Sequence, residues 1–284
     1  MKKWLVLLAA AALLFTAAFA EDMVPVIDGV LTLEMDESYE LDLDGDGTVE
    51  HVCVRMDFFE DEEAFQLRVE TDDAVYTYST YILYQGVAYA ADLDADGAIE
   101  VLLCGDEASA DFFTWCLKFD PAQGIYPLPF ADANRSENTD EYFDMGYGRI
   151  DAIDGNTLTM SGSQDMLGTW WCSREFTLRD GRFDLDDDGV WHVMIDMDDP
   201  DVWEYKSLTL VRELKATAPD GSAITLQPGE RFVITETDKK YAAFQTQDGV
   251  TGVIVTEPDT ENGWGCLIDG ISEFDYFEYV PYSD

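Results

Sequence analysis

The chain has 284 residues, of which 60 are acidic and 16 are Lys or Arg, so its formal net charge at pH 7 is −44. Such a charge repels polyanions, which argues against direct binding to nucleic acid, anionic lipid surfaces or anionic wall polymers unless a cation bridges them. Hydrophobic residues make up 47% of the chain and aromatic residues 13%, which is enough to build a folded core despite the charge.

The N-terminus has the pattern of a secretory signal peptide. Two lysines precede an apolar run, residues 4–18, and small residues at Ala18 and Ala20 form a cleavage signature. We therefore expect residues 1–20 to be removed. We expect the mature protein to be secreted or extracellular, either free or attached to the cell wall. It is not expected to be inserted in a membrane.

The five cysteines include no close CxxC pair, and the two histidines do not cluster with them. This pattern indicates neither a zinc site nor a full disulfide framework. Buried free thiols are the default expectation, and a bridge between Cys104 and Cys116 across one hairpin is the alternative.

Two nine-residue segments share the spacing of a calcium-binding loop. Residues 42–50 read DLDGDGTVE and residues 92–100 read DLDADGAIE, with carboxylates at positions one, three, five and nine and glycine at position six. Without a hard cation, each loop would hold four like charges close together, so we expect Ca²⁺ at both. The predicted ligands are Asp42, Asp44, Asp46, Glu50 and the Thr48 carbonyl in one loop, and Asp92, Asp94, Asp96, Glu100 and the Ala98 carbonyl in the other.

These loops differ from an EF-hand, because position twelve is Cys53 or Leu103 rather than Glu and the following residues alternate like a strand. The loops are therefore expected between strands. Position nine often coordinates the ion through water, so we expect it to matter less for calcium binding than the early aspartates. A plain acidic hairpin turn is the alternative, since Asp-Gly is a common turn dipeptide. A third segment, residues 184–192, has His192 at position nine, which leaves a third site and a solvated acidic turn both open.

The sequence around the loops predicts an all-β fold. Tyr39 and Tyr89 precede the two loops at equal spacing, and period-two strands follow each loop, so the loops belong to a repeated β-meander. No convincing amphipathic helix appears, and residues 127–142 are expected to be irregular. After residue 204 the acidic loops stop, which predicts a repeat region over residues 21–204 and a second, smaller β domain over residues 205–284.

The two loops resemble the FG-GAP/VCBS type of repeat, which implies a propeller-like arrangement of meanders with calcium-loop hairpins. The C-terminal stretch resembles bacterial Src-homology-3-like domains through its LQPG run at residues 226–229, the strand at residues 232–235, Phe244, and the glycines at 249 and 252. That resemblance implies a small β-barrel used for attachment or recognition, often at a cell wall.

Three function classes follow from these observations. The leading expectation is a secreted or cell-surface, non-catalytic calcium-binding protein that serves as a binding or adhesion module for a wall or extracellular glycan or protein. The alternatives are an extracellular carbohydrate-active hydrolase with an Asp/Glu pair, and a purely structural calcium-stabilised protein. Neither histidine has the sequence context of a catalytic base. Five tryptophans are candidates for sugar-stacking platforms or for the core: Trp170, Trp171, Trp191, Trp203 and Trp264.

Overall fold

The structure is a computed structural model that describes residues 30–59, 62–80, 85–106, 111–131, 145–185, 189–238, 240–260 and 265–282. The predicted signal peptide and most of the predicted irregular segment lie outside these ranges. Within them the chain is mostly β, and its helical parts are a π-helical turn at Val202–Lys206 and a 3₁₀ turn at Glu273–Asp275. None of the described helices is long and apolar enough to cross a membrane. The prediction of an all-β fold is confirmed.

The strands are short, and every strand pairing within a sheet is antiparallel. In chain order they are β1 (Leu31–Leu33), β2 (Ser38–Leu41), β3 (Glu50–Phe59), β4 (Glu62–Glu70), β5 (Val75–Ser79), β6 (Gln85–Ala91), β7 (Glu100–Asp106), β8 (Phe112–Asp120), β9 (Gly124–Pro127), β10 (Gly146–Tyr147), β11 (Arg149–Asp154), β12 (Thr157–Asp165), β13 (Thr169–Arg179), β14 (Arg182–Leu185), β15 (Trp191–Val193), β16 (Leu208–Thr209), β17 (Leu214–Thr217), β18 (Ala223–Leu226), β19 (Arg231–Thr237), β20 (Tyr241–Thr246), β21 (Thr251–Val255), β22 (Glu257–Pro258), β23 (Cys266–Ile268) and β24 (Ile271–Ser272).

Three successive four-stranded meanders make up the first two thirds of the described chain. Strands β2 to β5 form the first sheet. Strands β6 to β9 belong to a six-stranded middle sheet, in which β1 pairs with β6 and both β9 and β10 pair with β8. Strands β11 to β14 form the third meander, which is part of an eleven-stranded large sheet. Strands β22 to β24 make a separate three-stranded sheet.

The middle sheet is covered on both faces, which explains why its strands read as almost continuous apolar runs. On β7, Val101 and Leu103 pack with the first sheet, whereas Leu102 and Cys104 pack with the third meander. This alternation follows from the period-two orientation of side chains along a strand. The outer strand β5 buries little, and its side chains alternate between exposed and half-buried positions.

The C-terminal strands continue the large sheet. Strand β15 pairs with β13 on one side and with β19 on the other, and the order then runs β19, β20, β21, β17 and β18. Among the described strands no sheet closes into a barrel, so the small barrel predicted for residues 205–284 is not found there as a closed ring. The reason is that β15 and β16 occupy the free edge of β19.

The core around the C-terminal strands includes residues that precede position 205. Trp170 and Trp191 pack in the same cluster as Phe232 and Phe244. A domain boundary near Tyr205 stays a prediction, and both strand pairing and core packing cross that position. The five cysteines are free thiols; Cys104, Cys116, Cys172 and Cys266 are buried, as expected, whereas Cys53 is half-buried.

Candidate metal centre

The first two acidic segments each connect the two strands of a β-hairpin, with the same strand pairing at the base of the loop. The first loop, residues 42–50, joins β2 to β3, and Leu41 pairs with Glu50 where the hairpin begins. The second loop, residues 92–100, joins β6 to β7, and Ala91 pairs with Glu100 in the same way. The sequence prediction that these loops lie between strands is therefore confirmed. Both glutamates start a strand, which fixes them at the base of their loop.

In the first loop, three predicted ligands converge. Asp42, Asp44 and Glu50 each offer a carboxylate oxygen, and these oxygens lie within 4.8 Å of one another. Glu50 is 5% exposed, and its Oε2 accepts a 2.9 Å hydrogen bond from the Leu43 amide. Position nine therefore anchors the loop from inside. The expectation that it matters less for calcium than the early aspartates stays a prediction.

Asp42 supplies an oxygen that the protein leaves without a donor. Its Oδ2 accepts a 2.9 Å hydrogen bond from the Gly47 amide. Its Oδ1 is buried and has no hydrogen-bond partner among the described residues. A buried carboxylate oxygen without a partner is costly, and a bound cation would satisfy it.

One predicted ligand of the first loop, Asp46, lies outside the converging group. Asp46 is exposed, and its Oδ1 accepts a 2.7 Å hydrogen bond from the Thr48 amide. In the part of the chain that the structure describes, no Lys or Arg nitrogen lies within ion-pair distance of the first loop's carboxylates. The negative charge of this loop is thus not balanced by a described side chain.

The second loop brings together a different set of carboxylates. Asp92, Asp94 and Asp96 offer oxygens within 4.8 Å of one another. Both oxygens of Asp92 are used, because Oδ1 accepts the Asp96 amide and Oδ2 accepts the Gly97 amide, each at 3.1 Å. Backbone amides therefore donate hydrogen bonds to both oxygens of Asp92, whereas in the first loop one amide donates to one oxygen of Asp42.

Lys118, on β8, projects its ammonium group into the second loop. Its Nζ lies 3.3 Å from Asp94 Oδ2, 3.0 Å from Asp96 Oδ2 and 2.9 Å from Glu100 Oε1. The contact with Glu100 is an ion pair whose angles fall short of a hydrogen bond. Glu100 is fully buried and its Oε2 accepts the Leu93 amide at 2.9 Å. The lysine side chain is only 17% exposed, so its contacts with the loop are largely shielded from solvent.

The electrostatics of the two glutamates reflect their burial. Removal from water raises the pKa of Glu50 and of Glu100, and hydrogen bonds to the loop amides only partly oppose this effect. The Ala98 amide, and then Lys118, hold the pKa of Asp96 below its usual range. For Lys118, burial alone would lower the pKa, but its contacts with Glu100 and Asp96 outweigh burial and raise it. The ammonium is therefore charged at neutral pH.

Strand register explains why only one loop receives a lysine. Val101 pairs with Leu117, and continuing that antiparallel register by one residue places Lys118 opposite Glu100. His51 pairs with Glu70, and the same step places Thr71 opposite Glu50. Thr71 is neutral, and its Oγ1 accepts a 3.0 Å hydrogen bond from the Ala74 amide within the next turn. The lysine of the second loop is thus replaced by threonine in the first.

The two loops lie side by side. A Cβ atom placed on Gly45 would lie 3.2 Å from the Ala98 nitrogen and 3.3 Å from the Gly97 carbonyl carbon. The backbone at Gly45 has φ +73°, a conformation that favours glycine. The equivalent residue of the second loop is Ala95, which adopts φ 58° without a glycine. Close approach of the loops places two acidic clusters at one end of neighbouring sheets.

The third acidic segment does not form a complete described site. Its last three aspartates, residues 186–188, lie outside the described residues, and Asp184 makes a 2.8 Å ion pair with Arg182. His192 lies on β15, where its Nδ1 is 3.4 Å from Glu236 Oε1. His51 lies on β3 with an exposed side chain, beside the first loop.

The candidate tryptophans differ in their surroundings: Trp203 is half-buried outside the cleft lining described below, and Trp264 lies outside the described residues. Trp170 and Trp191 are buried in the core, which is one of the two alternatives expected for them. Trp171 is half-buried and lines a cleft of about 330 Å³ together with Tyr205, Met194 and other side chains. Sequence analysis missed this cleft because β13 and the turn at Val202–Lys206 are brought together by the fold. The remaining lining residues are Ser163, Thr169, Trp170, Val193, Ile195, Lys206 and Pro281.

Comparison with known proteins yields no match to this chain among family models, curated proteins or solved structures. The function is therefore inferred from the geometry of the loops and the cleft.

Proposed function

We propose that this chain is a secreted or cell-surface, non-catalytic protein that binds calcium at its first loop. The observation that carries the proposal is the buried Asp42 Oδ1, which has no hydrogen-bond partner among the described residues and belongs to a group that converges with Asp44 and Glu50. Three carboxylates around one point form the oxygen-rich environment that calcium prefers. Asp46 and the Thr48 carbonyl remain the predicted additional ligands.

The proposed ion has a structural role. The first loop packs against the second through Gly45 and Ala98, and the loops sit at the junction of the first and middle sheets. Calcium would reduce the negative charge of the first loop and so stabilise this junction. Calcium sites of extracellular modules have dissociation constants of roughly 0.1–1 mM, so at a few millimolar calcium the ion adds about 1 kcal/mol to the free energy of unfolding.

The proposed recognition role rests on the cleft between β13 and the turn at Val202–Lys206. Trp171 and Tyr205 are aromatic groups of the kind that stack on sugar rings, and Tyr205 is 71% exposed. The described lining of this cleft contains no Asp or Glu, which favours binding of a wall or extracellular glycan over glycoside hydrolysis.

The family resemblances enter this proposal as well. Three consecutive four-stranded meanders support the interpretation of residues 21–204 as propeller-like repeats of the FG-GAP/VCBS type. The Src-homology-3-like resemblance of residues 205–284 suggests attachment or recognition through the C-terminal strands.

Calorimetry and thermal unfolding test the calcium proposal. The purified protein should bind calcium saturably, melt at higher temperature in calcium than in chelator, and respond more weakly to magnesium, which demands a stricter octahedral geometry. Asp42→Asn should abolish the response. Absence of saturable binding, or equal melting temperatures of the wild type in calcium and chelator, would remove the proposal.

A glycan array with and without calcium tests the recognition role. Tyr205→Ala should reduce binding, whereas Tyr279→Ala should not, because Tyr279 is equally exposed but does not line the cleft. Identical binding by the two variants, or hydrolysis of a bound glycan, would contradict a non-catalytic cleft that contains Tyr205.

A further inference from the structure

We propose that the Lys118 ammonium is the resident cation of the second loop, so that calcium binds at the first loop only. This inference rests on the proposed calcium site at the first loop. It differs from the expectation drawn from the sequence, which assigns one calcium ion to each loop. Both loops would then reduce the repulsion among their carboxylates with a cation. The first loop would use bound calcium, and the second would use the Lys118 ammonium.

The first argument is the position of the ammonium. Lys118 Nζ lies within 3.3 Å of oxygens from three of the loop's four carboxylates: Asp94, Asp96 and Glu100. A metal ion bound by the same three oxygens would have to take the space that Nζ fills. The lysine is largely buried, which means that displacing it requires more than the rotation of an exposed side chain.

The second argument concerns the position-one aspartates. Asp92 directs both oxygens to backbone amides of its own loop, whereas Asp42 directs one oxygen to the Gly47 amide and leaves the other buried without a described partner. The first loop therefore has a carboxylate oxygen available for a cation. In the second loop the corresponding oxygen is already satisfied by the Asp96 amide.

The third argument comes from the register of the neighbouring strands. Lys118 and Thr71 occupy equivalent positions, each opposite the glutamate that ends its loop. A single residue on the adjacent strand thus distinguishes the two loops. Since a divalent ion near an ammonium group is repelled, the second loop should bind calcium at least about tenfold more weakly than the first.

Calorimetry on the intact protein tests the assignment without disturbing Lys118. The wild type should bind one calcium ion, Asp42→Asn should bind none, and Asp92→Asn should still bind one with little change in affinity. Two ions of similar affinity in the wild type, or loss of binding in Asp92→Asn together with retention in Asp42→Asn, would overturn the inference.

Exchange of the two equivalent residues is the second test. The Lys118→Thr variant should bind a second calcium ion, at the second loop. The Thr71→Lys variant should no longer bind calcium at the first loop, because it places an ammonium group beside Glu50. Lys215→Thr is the matched control, because it removes an exposed lysine on β17 and should leave calcium binding unchanged. Circular dichroism in calcium verifies that each variant is folded.

The outcomes separate the inference from the proposed function. If the wild type binds no calcium but Lys118→Thr binds one ion, the first loop is not a site, and the role of Lys118 is nevertheless supported. If Lys118→Thr is folded and binds the same number of ions as the wild type, Lys118 does not exclude calcium and the inference is wrong.

Discussion

The two acidic loops have nearly the same sequence and the same hairpin geometry, but they balance their charge differently. The second loop receives Lys118 from β8, whereas the first loop faces neutral Thr71 at the equivalent position. The nine residues of a loop therefore do not determine its electrostatic state. A residue on the neighbouring strand does, because it supplies or withholds a positive charge at the base of the loop.

Among substitutions that distinguish the two loops, Lys118→Met should cause the largest loss in the free energy of unfolding, measured in chelator. The substitution leaves the buried Glu100 without its counter-ion, and removing one partner of a buried ion pair costs about 3 kcal/mol. Thr71→Val, the matched change at the first loop, should cost about 1 kcal/mol through loss of its hydrogen bond to the Ala74 amide. Urea unfolding of both variants in chelator measures the difference; equal losses would contradict a special role for Lys118.

Contact between the loops is tested by Gly45→Ala. An alanine there needs a left-handed backbone and approaches the Ala98 nitrogen, so we expect a loss of about 2 kcal/mol in the free energy of unfolding. Gly47→Ala is the control, since Gly47 also has positive φ but a Cβ there meets nothing within 4 Å; its cost should be about 1 kcal/mol. If the two variants unfold at the same urea concentration, the loops do not pack as described.

Strand positions and the two loops could be predicted from sequence, because both depend on local patterns. The alternation of Val52 and Val54 with polar residues on β3 is a local signal, as is the spacing of the aspartates. The role of Lys118 depends on antiparallel register, which no single strand encodes. The burial of Glu50 was also not predicted, because the spacing of carboxylates in a loop does not show which of them the fold buries.

The C-terminal region shows the same limit. The strand at residues 232–235 was expected from the sequence, but the pairing of β15 with β19 was not. That pairing involves Trp191 and Thr237 and extends one sheet across residue 205. Such pairing between segments distant in sequence is set by the tertiary fold. The small barrel was implied by the family resemblance, and no sheet of the described strands closes into a barrel.

A smaller effect concerns Glu273, a buried carboxylate that belongs to neither acidic loop. Its Oε1 accepts hydrogen bonds from the Cys266 amide at 2.9 Å and the Tyr282 hydroxyl at 2.7 Å, and burial raises its pKa above the ordinary 4.5. A carboxylate with a raised pKa in the folded state favours folding most at low pH, and this contribution is lost as pH rises through the raised pKa.

The wild type should therefore lose stability relative to Glu273→Gln as pH increases above 4.5. Urea unfolding of both proteins in chelator between about pH 4 and pH 7 gives the difference curve. This difference should be the same in calcium, because the group belongs to neither acidic loop. A flat difference curve would show that burial does not disfavour the charged form of Glu273.

The most direct test of the account is the calcium-induced shift in melting temperature of Asp42→Asn and Asp92→Asn. Stabilisation by about 1 kcal/mol corresponds to a shift of roughly 2–4 °C for a chain of this size. We predict that the wild type and Asp92→Asn both show this shift between chelator and millimolar calcium, and that Asp42→Asn shows none. Equal shifts in the two variants, or a shift lost only in Asp92→Asn, would contradict the assignment of calcium to the first loop and of Lys118 to the second.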